Sequence, residues 1–291
     1  MHTGNTQDGA SGMGLEKRSD QRCFGGSMAF YRHRSLETGT DMSFGIYLPP
    51  QAEKAPVPAL YYLAGLTCTE ETFLIKAGAQ RLAAQHGLAL VAPDTSPRGA
   101  DIPGEDDDWD FGTGAGFYLD ATEAPWRGHY RMGSYVNAEL PALIEASFPV
   151  IPGVRGLFGH SMGGHGAIVS ALRHPGQWRS LSAFAPICNP VAVPWGRKAL
   201  PRYLGPDEQH WADWDASLLM RRATFPGPIL VDQGTDDQFL ETQLHPQALE
   251  AAAAASGQSL TLRRQPGYDH SYWFIQSFMA DHIAHHAAQL G

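Results

Sequence analysis

From about residue 40 onward the chain alternates between short apolar runs and longer stretches with helical spacing. Phe44–Leu48, Ala59–Ala64, Leu88–Ala92, Gly156–Phe158, Leu181–Ala185, Ile229–Asp232 and Leu260–Arg264 are short and apolar, as strands covered on both faces should be. Glu70–His86, Tyr135–Phe148, Gly163–Arg173, Ala216–Arg222, His245–Ser256 and Tyr272–Gln289 are predicted helices. Among them, the run Ala251–Ala255 has the highest intrinsic helix propensity available. This alternation predicts an α/β fold, a mostly parallel central sheet with helices on both faces. Ala29–Leu36 is expected to pair with Phe44–Leu48 as an antiparallel hairpin at the sheet edge, turning through Glu37–Thr40. No linker or repeat interrupts the pattern. Residues 15–291 therefore read as one domain, and the small, polar stretch 1–14 as a disordered tail.

Composition narrows the function classes. The formal net charge is −9 and there is no basic block, which argues against nucleic-acid or anionic-membrane partners. No apolar run approaches the roughly 18 to 20 residues that span a bilayer, and the N-terminus lacks the apolar core of a secretory signal. Cys23, Cys68 and Cys188 have no metal-type spacing, which points to a reducing compartment without a disulfide framework.

Candidate chemistry centres on Gly159-His160-Ser161-Met162-Gly163. The apolar run Gly156–Phe158 precedes it and the helical stretch Gly166–His174 follows. A bare G-x-S-x-G in a chain with 32 glycines also fits an idle turn. Strand, sharp turn and helix is the setting in which the motif holds a serine nucleophile. Serine needs a base, and the base an orienting acid, which in this arrangement follow in the order Ser, acid, His. Asp236 and Asp237 lie just past the predicted strand Ile229–Asp232, and spacing leaves the choice between them open. His270 sits in the loop before the last helix. His160, next to the serine, is expected to point elsewhere, and His282 and His286 are expected on a solvated helix face. The oxyanion donors should be the Met162 N–H and one N–H from Gly65, Leu66 or Thr67, in the loop where Thr69 is placed to cap the following helix.

Several segments together carry a resemblance: RCFGG, YLAGLTCTEETF, VAPDTSPRG, GEDDDWDFGTGAGFYLDATEAPW, GHSMGGHGA, FAPICNP, DQGTDDQFL and GYDHSYWF. From about Arg22 to Leu290 the chain resembles the S-formylglutathione hydrolase (esterase D) family of the α/β-hydrolase superfamily. The resemblance implies a cofactor-free, cytoplasmic, often dimeric enzyme that hydrolyses the glutathione thioester S-formylglutathione in formaldehyde removal. It implies Ser161 as nucleophile, His270 as base, Asp237 rather than Asp236 as acid, and Leu66 and Met162 as oxyanion donors, with no metal. The chain departs from the family pattern at Ser27 and Met28 after RCFGG, at Val191-Ala192-Val193, and in the tail before Leu15.

Other residues have two readings. Trp109, Phe111, Phe117, Tyr118 and Trp195 can wall off a small acyl pocket or pack in the core. Cys68 is a thiol near the site or a buried inert one. The acidic run Glu105–Asp108 reads as a solvated loop. Glutathione carries two carboxylates, so a cation belongs at the pocket rim; Arg127, Arg131 and Lys198 are candidates. A general short-chain carboxylesterase with the same triad and a non-catalytic binding protein on the same scaffold are the alternatives.

Overall fold

The computed structural model describes residues 14–291, so all but one residue of the expected tail lies outside the described residues. Nine strands form one sheet: β1 (Glu16–Cys23), β2 (Gly26–Arg34), β3 (Asp41–Leu48), β4 (Val57–Leu63), β5 (Ala89–Pro93), β6 (Val150–His160), β7 (Ser180–Phe184), β8 (Ile229–Gly234) and β9 (Leu260–Gln265). Their spatial order is β1-β2-β3-β5-β4-β6-β7-β8-β9. The pairs from β1 to β5 are antiparallel, and those from β5 to β9 are parallel. The expected hairpin is present as β2–β3, with Ala29 opposite Ile46.

Helices cover both faces, and alternation along β6 shows how. Phe158 meets His286 of the helix Tyr272–Leu290, whereas Gly159 lies against the start of the helix Met162–Arg173 on the other face. On β4, Tyr62 stacks on Phe73 while neighbouring Tyr61 meets Trp178 on the opposite face. This is the expected α/β-hydrolase architecture. The parallel half aligns the C-terminal ends of β4, β6, β8 and β9 along one edge, where open α/β sheets bind ligands.

The structure differs from expectation in three elements. The predicted helix Glu70–His86 is two helices, Glu70–Lys76 and Ala79–His86, because Gly78 adopts φ +64° between them. β1 has no apolar alternation and is exposed along most of its length, so its sequence carried no strand signal. The helix Pro194–Leu204 also went unread; Pro194 suits its first turn, but Pro201 inside it looks like a breaker.

His282 and His286 are fully buried rather than solvated. Their i,i+4 spacing on the last helix matches the i,i+2 spacing of Ser180 and Ser182 on β7, and Asp232 on β8 closes the row. Arg263 grips that carboxylate with two bonds (Nε–H to Oδ1 2.7 Å, Nη2–H to Oδ2 2.5 Å), and Gln265 adds a third at 2.9 Å. Burial alone would raise the Asp232 pKa, but hydrogen bonds from His282, Arg263 and Gln265 outweigh it and hold the group at about 2. An ionised carboxylate only accepts, so His282 donates from Nε2 at 3.1 Å. His282 Nδ1 then accepts from Ser182 O–H (2.8 Å). Ser182 Oγ accepts from His286 Nε2–H (2.8 Å), and His286 Nδ1 accepts from Ser180 O–H (2.6 Å). A single proton arrangement satisfies every member.

Burial depresses the pKa of His282, His285 and His286 below the ordinary histidine range. The unfolded chain takes up protons from about pH 6.5 downward that the folded chain refuses. Their contribution to stability is therefore complete above that pH and lost as pH falls below it. Urea unfolding at about pH 7.5 and about pH 5.5 is expected to give the smaller unfolding free energy at the lower pH. Stability that held or rose on acidification would show that these imidazoles are not buried as neutral groups.

Candidate active site

Ser161 stands between the end of β6 and the helix Met162–Arg173 with φ +57° and ψ −118°. These angles are those of the first central residue of a type II′ turn, a conformation dominated by glycine. A serine held there is strained, and such strain gathers at functional sites. The turn closes because its flanks have no side chains. A Cβ on Gly163 would lie 2.0 Å from Leu63 O, and one on Gly159 2.4 Å from Gly163 O. The serine backbone is pinned from both sides: its N–H donates to Phe184 O (3.0 Å), and its carbonyl accepts from His165 N–H (3.0 Å) and Ile187 N–H (3.2 Å).

Asp237 and His270 come together across two loops. Gly234, at the end of β8, permits the approach, since a Cβ there would lie 2.2 Å from Tyr268 O. Thr235 N–H and Asp236 N–H then donate to Gln265 O and Tyr268 O, each at 3.0 Å, lacing the loops together. His270 Nδ1 lies 2.5 Å from Asp237 Oδ2. Asp237 also accepts from Phe239 N–H (2.8 Å) and Gln233 Nε2–H (3.2 Å), and its side chain is fully buried. With the carboxylate accepting at Nδ1–H, the Nε2 lone pair of His270 is available. Asp236 is exposed and, among the described residues, its carboxylate accepts only from Thr235 Oγ1–H. Geometry thus separates the two aspartates that spacing could not.

Ser161 and His270 open into one cleft of about 300 Å³. Among the described residues no direct hydrogen bond joins Ser161 Oγ to the imidazole; such bonds commonly tighten only around substrate. Leu66 lines the cleft, and Met162 begins the helix directly after the serine. Among the described residues neither backbone N–H has a protein acceptor. Gly65 brings the Leu66 loop onto the serine turn, where a Cβ would meet Ser161 Cβ at 3.3 Å. The loop is held from below and behind. Thr69 forms a capping box with Thr72, Tyr118 O–H donates to Ala64 O (2.9 Å), Thr67 N–H donates to Gly114 O (2.9 Å), and Thr95 Oγ1–H donates to Cys68 O (2.6 Å). Three of these braces come from the long 93–126 stretch, so that loop supports the candidate oxyanion donors.

The aromatic candidates divide cleanly. Trp109 and Trp195 line the cleft, with Phe239 carrying the wall on to His270 (ring centroids 4.8 Å from Trp195 and 5.1 Å from His270). Phe111, Phe117 and Tyr118 are buried in the core. His160 does not point away: it lines the cleft with its ring centroid 4.4 Å from that of His270. Its burial, with His270 alongside, keeps it well below the usual histidine range and neutral. Neither of its ring nitrogens has a partner among the described residues. Cys68 also lines the cleft, and burial pushes its thiol pKa up, which keeps it protonated and a weak nucleophile. None of the three expected cations lines the cleft. Lys198 is taken by Asp108 and Asp110, and Arg131 by Glu37. The acidic run is not simply solvated, because Glu105 is buried and Asp108 pairs with Lys198.

Residues 35–285 match the family model described as "Putative esterase". Over 282 residues the chain is 56% identical to an S-formylglutathione hydrolase of Rattus norvegicus, covering 96% of this chain and 99% of that one. The chain belongs to the S-formylglutathione hydrolase family. A member of that family from Paracoccus denitrificans is 53% identical over 279 residues, with 96% and 99% covered. The solved S-formylglutathione hydrolase of Agrobacterium tumefaciens superposes with a TM-score of 0.93 at 47% identity, covering 95% of this chain and 100% of that one.

The sequence of this S-formylglutathione hydrolase family member did not reveal Phe239, Thr72, Lys76 and Tyr272 as cleft-wall residues. A signal for two of them existed. Thr72 and Lys76 are spaced by four within the first helix, which puts them on one face of it, and Cys68 lies in the oxyanion loop just before its cap. Phe239 had no such signal, since it depends on how the Asp237 loop turns.

Proposed function

We propose that the chain is a serine thioesterase that hydrolyses S-formylglutathione to glutathione and formate. The observation that carries the mechanism is the buried Asp237–His270 pair opening into the same cleft as the strained Ser161. The substrate follows from the near full-length likeness to S-formylglutathione hydrolases. His270 Nε2 takes the Ser161 proton as Oγ attacks the thioester carbonyl. Asp237 holds the imidazole in the tautomer that accepts at Nε2 and stabilises the imidazolium. The Leu66 and Met162 N–H groups receive the oxyanion, each contributing about 3 kcal/mol to transition-state stabilisation. The tetrahedral intermediate collapses, and the glutathione thiolate leaves with the proton from His270. Water, activated by the same base, then releases formate from the formyl-serine. Each step uses only side-chain and backbone groups, with no cofactor or metal. The family likeness supports a cytoplasmic, homodimeric enzyme working in glutathione-dependent formaldehyde removal.

The apolar walls of Trp109, Trp195 and Phe239 also suit a short neutral ester, which favours a general carboxylesterase as the second reading. Measuring kcat/KM for S-formylglutathione beside p-nitrophenyl acetate separates the two. The thioester is expected to be the better substrate. Turnover of the nitrophenyl ester alone would leave the triad standing and remove the substrate assignment.

A further inference from the structure

The cleft has an electrostatic signature that its chemistry does not require. Among the described residues it is lined by no carboxylate, and Lys76 is the one lysine or arginine in its wall. In a chain of net charge −9, a cationic mouth without an acidic counter-ion marks a place for an anion. Among the described residues no carboxylate lies within ion-pair distance of Lys76. The side chain is exposed, and its Nζ lies 5.9 Å from the centroid of Tyr272, itself a cleft residue. The lysine charge reaches inward, where it works against the burial that raises the Cys68 thiol. Its backbone is fixed as well, because Gln276 Nε2–H donates to Lys76 O and ties the two helix ends together.

Lys76 also borders a second hollow. A groove of about 500 Å³ continues outward past Tyr272, Trp273 and Gln276, sharing Lys76 and Tyr272 with the cleft and, among the described residues, lined by no carboxylate. The cleft alone, at about 300 Å³, is at the small end for ligand sites. A formyl thioester placed at Ser161 must therefore lead its peptide portion out over this groove.

We propose that Lys76 is the substrate-anchoring residue of this site, binding a carboxylate of the glutathionyl group as the peptide leaves the cleft between Tyr272 and Trp273. The assignment rests on the thioesterase reading above. It explains how one scaffold selects an anionic tripeptide thioester over a neutral ester without changing the triad. The contact is made to the peptide portion rather than to the reacting atoms and is the same in the ground and transition states, so its loss should appear in KM and leave kcat in place.

The test is steady-state kinetics of wild type, Lys76→Ala, Lys76→Glu and Lys76→Arg with S-formylglutathione and p-nitrophenyl acetate. Lys76→Ala is expected to raise KM for the thioester about fivefold at constant kcat, the worth of one solvent-exposed ion pair. Lys76→Glu should raise it about 20-fold by adding repulsion, and Lys76→Arg should restore it. The ratio of thioester to neutral-ester kcat/KM should fall with the same ordering. Raising ionic strength should weaken wild-type thioester binding and leave Lys76→Ala insensitive. Repeating the comparison with the glycine-amidated thioester identifies the partner: the Lys76→Ala penalty vanishes if the glycyl carboxylate is bound and persists if the γ-glutamyl carboxylate is. A Lys76→Ala enzyme that keeps the wild-type thioester KM overturns the assignment, as does an equal loss on the neutral ester. A wild type that does not hydrolyse S-formylglutathione overturns the functional reading instead.

Discussion

Ser161→Ala is expected to lower kcat for S-formylglutathione by about a million-fold, leaving only the residual acceleration of oxyanion binding and orientation. The size follows from the loss of the nucleophile itself: no other group in the cleft can replace it. Cys68, the nearest alternative, is kept protonated by burial. The backbone adds a second expectation. At φ +57° and ψ −118° serine and alanine are both strained, whereas glycine is at ease. Ser161→Gly should therefore be as inert as Ser161→Ala yet more stable by about 1–2 kcal/mol in urea unfolding. An alanine variant that keeps its activity would reduce the motif to a turn. A glycine variant no more stable than the alanine one would mean the serine is not strained.

Asp237→Asn is expected to cost about 10³- to 10⁴-fold in kcat, while Asp236→Asn should stay within about twofold of wild type. The two residues are adjacent, so the contrast tests orientation rather than local charge. The Asp237 carboxylate accepts from His270 Nδ1, Phe239 N–H and Gln233 Nε2–H with its side chain out of solvent. An asparagine there presents an N–H₂ group or a weaker acceptor to the imidazole, favouring the tautomer that cannot take the serine proton. Among the described residues the Asp236 side chain hydrogen-bonds only to Thr235. Equal losses in the two variants would contradict the geometry, and pH–rate profiles for both would separate a wrong tautomer from a damaged loop.

The apolar strands from β3 to β8 were readable because burial on both faces leaves little else they could be. β1 was not, since an edge strand paired on one side needs no apolar face. The serine turn was readable because its glycines are required by contacts that close to 2.0 Å, so the local pattern holds the geometry. Which of Asp236 and Asp237 meets His270 was not readable: the two differ by a loop path that no local spacing encodes. The misplacement of His282 and His286 has the same root. Helical periodicity marks which residues share a face, but it does not distinguish solvent from a row of serines and an aspartate on β7 and β8. Lys76 shows the opposite case. Its i,i+4 spacing from Thr72, in the helix that follows Cys68, was present in the sequence and becomes informative once the site beside that helix is known.

The order of the strands also decides when the chain becomes reactive. The strained serine depends on β6, on β7 and on the loop after β7, which hold its backbone through Phe184 and Ile187. His270, the proposed base, arrives more than a hundred residues later, carried by the loop that follows β9 and clasped to the one that follows β8. Such contacts of long sequence separation form late, and those at a sheet margin open first. A partly folded chain therefore holds a bent serine without a proton acceptor and is chemically silent. On gentle unfolding, catalysis should vanish while the centre of the sheet is still intact, so that a serine-directed reagent would report the docking of the last two strands rather than the presence of the fold.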